Sequence, residues 1–237
     1  MRFKKNMLKI IETTNLDAQS IMDKDAYLLE TLDPKGEIIV HFYEWKNPSI
    51  TYGYFLKPED FFRLEKLKDN SIDIARRPTG GGIVFHVWDL AFSVLVPAQS
   101  KAFFPTSLEN YQFINLCVQK AIEEILPDTF SLFENLTHKN IAKDFCMAHP
   151  TKYDVVVGGK KIAGAAQRKK KHGYLHQGTI AIEPADISLL KTILLDNEVI
   201  EKMINCSFCL TQDRAQIQKL KNKLRSLLIK HLQKRLS

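Results

Sequence analysis

Apolar residues at Ala18, Ile21, Met22, Ala26, Leu28 and Leu29 recur at helical spacing and predict a helix over residues 15–32, closed by Pro34. Two strand-like runs follow at 37–45 and 49–54, joined by a turn at Asn47-Pro48. Pro58 sits at the favoured first position of a short helix that runs to Asp69. Strands at 72–79 and 83–96 flank three consecutive glycines. The clearest inner helix is 107–126, with Phe113, Ile114, Cys117, Val118, Ala121, Ile122 and Ile125 on one face. From Tyr153 the period changes to two. A hairpin turns at Gly158-Gly159, and a second turn at 169–173 leads to a strand over 174–183. Two further helices follow, the last over about 213–235, with Ile217, Leu220, Leu224, Leu227, Leu228 and Leu232 opposite its basic residues. This order predicts an α+β fold, a mixed β-sheet with packed helices. It divides into a catalytic-type domain over residues 1–205 and a C-terminal basic helical appendage over 206–237.

Composition changes this picture little. The 237 residues are 45% apolar and 26% charged, enough to bury a core and too hydrophobic for disorder. The longest apolar stretch, 83–98, is broken by His86 and Asp89, so no membrane span is expected. The N-terminus lacks a secretion-type apolar segment, which points to a cytoplasmic protein. Charge is more informative. The net charge is +7, and residues 211–237 alone carry eight Lys/Arg against one acid, leaving the rest formally neutral. The basic tail is either a solvated helix face or a docking edge for an acidic protein. Nucleic acid is a weaker alternative through the same charges, and a membrane surface ranks low. Cys206 and Cys209 form one CxxC with no second pair, so they read as structural thiols and no metal ligand set is expected.

Four segments could carry chemistry. In Arg76–His86 (RRPTGGGIVFH), Thr79 precedes Gly80, Gly81 and Gly82. Glycines between apolar strands allow close backbone approach and expose amides to an anion, with Arg76 and Arg77 beside them. The bland alternative is a bulge with solvated arginines. In Lys152–Arg168, Gly164, Ala165 and Ala166 make a small-residue strand begun by Lys161. Strict alternation places Lys161 on one face with Ala163 and Ala165. In His176–Thr179, Gly178 permits close approach and Thr179 can hydrogen-bond, while His176 reads as structural. Cys146 could hold an acyl group as a thioester, or be structural.

Together the Arg-Arg-Pro-Thr-Gly-Gly-Gly-Ile-Val-Phe-His run, the Tyr-Asp-Val-Val-Val hairpin ending Lys-Lys-Ile-Ala-Gly-Ala-Ala-Gln, and the Leu-His-Gln-Gly-Thr strand resemble the lipoate–protein ligase A family. That family includes octanoyltransferases and is related to biotin–protein ligases. The likeness spans about residues 10–200. It implies a lipoate/biotin ligase-like catalytic fold that attaches lipoate, or octanoate, to one lysine of a carrier. The carriers implied are lipoyl domains of 2-oxoacid dehydrogenase complexes or the glycine-cleavage carrier protein, with acyl carrier protein as a possible donor. Lys161 matches the family's essential lysine. Arg77 and Gly80–Gly82 match the acyl or adenylate cradle. Val84 and Phe85 would line the acyl pocket, and His86, Asp154 and Thr179 match other pocket positions.

The resemblance leaves two routes open. In the ligase route ATP and Mg²⁺ are co-substrates, and an acyl-adenylate meets the acceptor amine. In the transferase route a thioester passes to Cys146 and then to the acceptor, without ATP. The glycine triplet resembles the ligases, and Cys146-x-x-x-Pro150-x-x-Tyr153 resembles cysteine-dependent transferases. Two departures stand out: the usual His-Asp pair is His86-Val87, with Asp89 the nearest acid, and the accessory domain of larger ligases is lacking. The glycine triplet puts the ligase route first, with the Cys146 route as its alternative. A catalytically silent lipoate- or carrier-binding module is the alternative of another class.

Overall fold

The structure is a computed structural model and describes residues 8–134 and 144–237. Its elements in chain order begin with β1 (Leu8–Leu16), α1 (Ala18–Glu30), β2 (Ile38–Trp45), β3 (Ser49–Tyr52), a 3-10 turn at Pro58–Asp60, and α2 (Leu64–Asp69). Next come β4 (Asp73–Arg76), β5 (Val84–His86), β6 (Asp89–Pro97), α3 (Ser107–Glu123) and β7 (Phe130–Leu132). The chain ends with β8 (Val155–Val157), β9 (Lys160–Lys170), β10 (Gly173–Ala181), α4 (Ile187–Ile193), α5 (Glu198–Cys206) and α6 (Ile217–Leu236).

A mixed seven-stranded sheet has the order β1-β2-β6-β10-β9-β8-β7, and a second sheet has the order β4-β3-β5. Both neighbours and both faces of β6 are covered, so all nine of its residues are buried. Alternation divides β6 between two layers. Leu90, Phe92, Val94 and Val96 join the core under α3 and α6, while Ala91 and Leu95 face α1. The candidate site lies on the α1 side, where the small sheet also packs.

The expected elements are present with instructive changes. The helix expected from residue 15 starts at Ala18, because the Asp17 carboxylate accepts the Ser20 N–H at 2.9 Å. The single strand expected over 83–96 is two strands in different sheets. At the break, the Trp88 carbonyl accepts the Ile182 and Glu183 amides. Three α-helices follow β10 rather than two. The boundary expected at 205/206 is not a break in packing either. Leu224, Leu228, Leu232 and Leu236 of α6 are buried in the main core with Phe113, Val118 and Ile122 of α3. Cys206 and Cys209 are free and half-buried, and the intervening Ser207 bridges Lys161. No helix among the described residues is long and apolar enough to cross a membrane.

Candidate active site

β9 begins with a bulge. Opposite Val155 and Val156 of β8 stand Ala163 and Lys161, with Ile162 as the extra residue. Ile162 and Ala163 therefore both join the α3-side core, and Lys161 turns to the other face. This corrects the expectation that Lys161 shares a face with Ala163 and Ala165; its side chain lies over Gly164. A Cβ there would stand 2.4 Å from Lys161 Cε and 2.6 Å from both Lys161 Nζ and Asp154 Oδ1, so only glycine leaves room. Phe208 N–H donates to the Lys161 carbonyl at 2.7 Å and fixes the backbone at the bulge.

Lys161 Nζ meets Asp154 Oδ2 at 2.7 Å, and both side chains are buried. Asp154 also accepts the Thr151 N–H at 2.7 Å, the Thr151 hydroxyl at 2.8 Å and the Tyr111 hydroxyl at 2.6 Å. A buried ion pair is tenable when its remaining lone pairs are satisfied in this way. Burial, and then the Asp154 charge, push the Tyr111 hydroxyl well above its ordinary pKa, so it remains a donor. The same oxygen accepts the Ala165 N–H at 2.6 Å. Tyr111 supports the site from α3, and nothing in its sequence context singles it out.

Arg77 is buried beneath the glycine loop. It donates to the Thr51 carbonyl and hydroxyl at 3.0 and 2.8 Å, and to the Gly80 and Gly82 carbonyls at 3.1 and 2.6 Å. The arginine therefore shapes the loop as well as facing the cavity. Arg76, by contrast, is exposed and stacks on Tyr54. Gly82 lies so close to the Asp144 carbonyl that a Cβ would stand 2.4 Å away. That approach lets Ile83 bridge Phe145, and the Cys146 N–H donates to the Ile83 carbonyl at 3.1 Å. Cys146 is thereby carried to the Arg77 guanidinium. Burial pulls that guanidinium below its ordinary pKa, while the adjoining Cys146 thiol, by charge and hydrogen bonding, and Tyr43 act in the opposite direction.

His86 Nδ1 lies 2.8 Å from Asp89 Oδ2 and Nε2 lies 2.8 Å from the Thr51 hydroxyl, with Trp45 stacked on the ring. Asp89, three residues on, supplies the carboxylate that the sequence lacks at position 87, and Thr179 also donates to it. Thr79 donates to Gln177 Oε1 at 2.7 Å. Gln177 Nε2 in turn donates to Asp25 at 2.7 Å.

These groups surround one narrow cavity of about 30 Å³. Cys146, Lys161, Arg77, Val84, His86, Gly164, Ala165, Gly178 and Thr179 line it, as expected residues, together with Met22, Tyr43, Thr51 and Gln177, which were not foreseen. Phe85 turns away into the aromatic cluster of Phe62, Trp88 and Phe145 and lines an adjoining groove of about 460 Å³. Asp154 and Thr79 stand behind the cavity wall and hold lining residues. Gly80, Gly81 and Gly82 form the loop above it, where Gly81 takes the left-handed region at φ 84°.

Residues 17–237 match the family model of the lipoyl protein ligase A/B catalytic domain. The chain belongs to this family. Among curated relatives, octanoyltransferase LipM of Anoxybacillus flavithermus is 29% identical over 211 residues, covering 86% of this chain and 76% of the relative. LipM of Bacillus cereus is 31% identical over 176 residues, covering 71% of this chain and 63% of the relative. A T. acidophilum structure assigned to lipoate protein ligase, with lipoic acid bound, superposes with a TM-score of 0.75 at 23% identity, covering 95% of this chain and 86% of that one. A lipoate-protein ligase A bound with ATP gives 0.72 at 24% identity, covering 97% and 86%. These superpositions establish the lipoate ligase catalytic fold for the present α+β chain.

Proposed function

We propose that this family member is an acyltransferase of protein lipoylation, moving an octanoyl or lipoyl group through a Cys146 thioester to a carrier lysine. The observation that carries this reading is the placement of Cys146 and Lys161 on the walls of one buried cavity. The Cys146 thiolate attacks the carbonyl of a donor thioester, and the donor leaves as its thiol after taking up a proton. The acceptor amine then attacks the Cys146 thioester, forming the amide and returning the Cys146 thiol. Each step builds negative charge on the carbonyl oxygen. The Lys161 ammonium, held by Asp154 in a dry site, is placed to stabilise it. Arg77 lies beside the sulfur, where its guanidinium offsets negative charge that develops during each step. The acceptor is a lipoyl domain of a 2-oxoacid dehydrogenase or the glycine-cleavage carrier, and the donor is a thioester of acyl carrier protein. The names of the LipM relatives support an octanoyl group.

One observation favours the ligase reading. The cavity meets the larger groove at Val84 and Thr179, which line both and leave space beside the reacting carboxyl for ATP and Mg²⁺. Intact-mass analysis of an apo lipoyl domain separates the two. Transfer from an octanoyl thioester without ATP, lost in Cys146→Ala, supports the transferase. Full ATP-dependent lipoylation by Cys146→Ala supports the ligase and rejects the thioester.

A further inference from the structure

The cavity has a direction. On β9 and β10 the paired residues Gly164–Thr179 and Ala166–Gln177 face the α1 layer. Two residues of strand separate these rungs, about 7 Å. The Lys161 amine lies at the Gly164 end. Met22, which is 1% exposed and lines the cavity, lies at the other, where its Sδ receives the Gln177 Nε2–H at 3.3 Å. An acyl group with its carbonyl at Lys161 therefore runs along the small residues of β9 and ends against Met22.

The wall behind Met22 is braced. Gln177 is held from one side by Thr79 and from the other by Asp25. Asp25 Oδ1 lies 2.7 Å from His41 Nδ1, and His41 Nε2 lies 2.8 Å from the Thr13 hydroxyl. Asp25 and His41 are fully buried, so displacing any member leaves an unsatisfied polar group. On the apolar side Met22 packs with Ile21, Tyr43, Ala75 and Ala91. The polar network does not yield to a longer chain, and the cluster is closed by the methionine.

Building on the transfer reading above, we propose that Met22 is a specificity-determining residue that sets the length of the acyl chain. The side chain occupies the volume that the next methylenes of a longer, straight acyl group would need. Its truncation joins that volume to the trough, because closely packed surroundings relax only in part. One methylene in an apolar pocket changes selectivity by about 10- to 200-fold.

The test loads full-length wild type, Met22→Val, Met22→Ala and Met22→Phe with an equimolar mixture of hexanoyl, octanoyl, decanoyl and dodecanoyl pantetheine thioesters. Acyl-enzyme is read by intact mass. The decanoyl-to-octanoyl ratio is expected to rise about tenfold or more in Met22→Ala and by a smaller factor in Met22→Val. Met22→Phe is expected to shift loading toward hexanoyl. If Met22→Ala does not give folded protein, the Val and Phe variants carry the same opposed expectations. Loading with the same ratios in every variant overturns the gauge alone. Absence of an adduct on wild type overturns the transfer reading and the gauge with it.

Discussion

The Lys161 ammonium and the Asp154 carboxylate lie 2.7 Å apart, both buried, directly over the Cα of Gly164. Removing either partner leaves the other charged and uncompensated. Lys161→Ala is expected to abolish transfer and to cost about 3–5 kcal/mol of stability. Asp154→Asn is expected to keep the fold better and to lower kcat by about a hundredfold or more, through loss of lysine positioning. Steady-state transfer assays and denaturant melts check both.

Gly164→Ala should reproduce the Lys161 defect without touching a charge. The added methyl enters the space of Lys161 Cε and Nζ. The expected outcome is at least a hundredfold loss of transfer with a stability cost of about 1–3 kcal/mol.

The glycine loop offers an internal comparison. A methyl at Gly82 collides with the Asp144 backbone, whereas one at Gly80 meets nothing within 4 Å and needs no unusual φ. Gly82→Ala should displace the Cys146 segment and destabilise by about 1–3 kcal/mol. Gly80→Ala should change stability by less than about 0.5 kcal/mol. Thermal melts of the two variants check this contrast.

His176 gives the fold an acid sensitivity. Burial pushes its pKa from 6.5 down to about 3. Between these values the unfolded chain binds a proton that the folded one refuses, so stability is retained above 6.5 and falls as the pH drops below it. Near pH 5 the loss from this group is about 2 kcal/mol. His176→Gln should flatten that part of the stability–pH curve. An unchanged slope in urea titrations across the range would refute it.

The C-terminal helix is expected to be structural first. Leu228→Ala should destabilise by about 2–5 kcal/mol, since the side chain is fully buried against the main core. A melting curve unchanged from wild type would contradict this packing.

Much of this architecture was legible in the sequence. The helix around Ile21 and Met22, the Gly158-Gly159 hairpin and the helix around Ile114 follow from spacing alone. β1 escaped because it is an edge strand with Thr13 as its one buried residue, so it carries no apolar alternation. The break between β5 and β6 escaped because both halves are apolar and only the tertiary arrangement separates them. At the site, Lys161 and Arg77 stood out through the motifs that carry the family resemblance. Gln177 and Met22, which line the cavity, and Tyr111, which holds Asp154 and Ala165 behind it, did not, because each sits on an element whose pattern is explained by packing. The bulge at Ile162 inverted the face assigned to Lys161, since a single inserted residue reverses strand parity.

The central claim is tested most directly by mapping the acyl-enzyme itself. The protein is mixed with octanoyl-pantetheine in the absence of ATP, quenched and analysed by peptide mass spectrometry, then chased with an apo lipoyl domain. The account expects one octanoyl group on Cys146 that is discharged quantitatively to the lipoyl-domain lysine. An unmodified Cys146, together with lipoyl-domain modification that appears only when ATP and free acid are supplied, would contradict it.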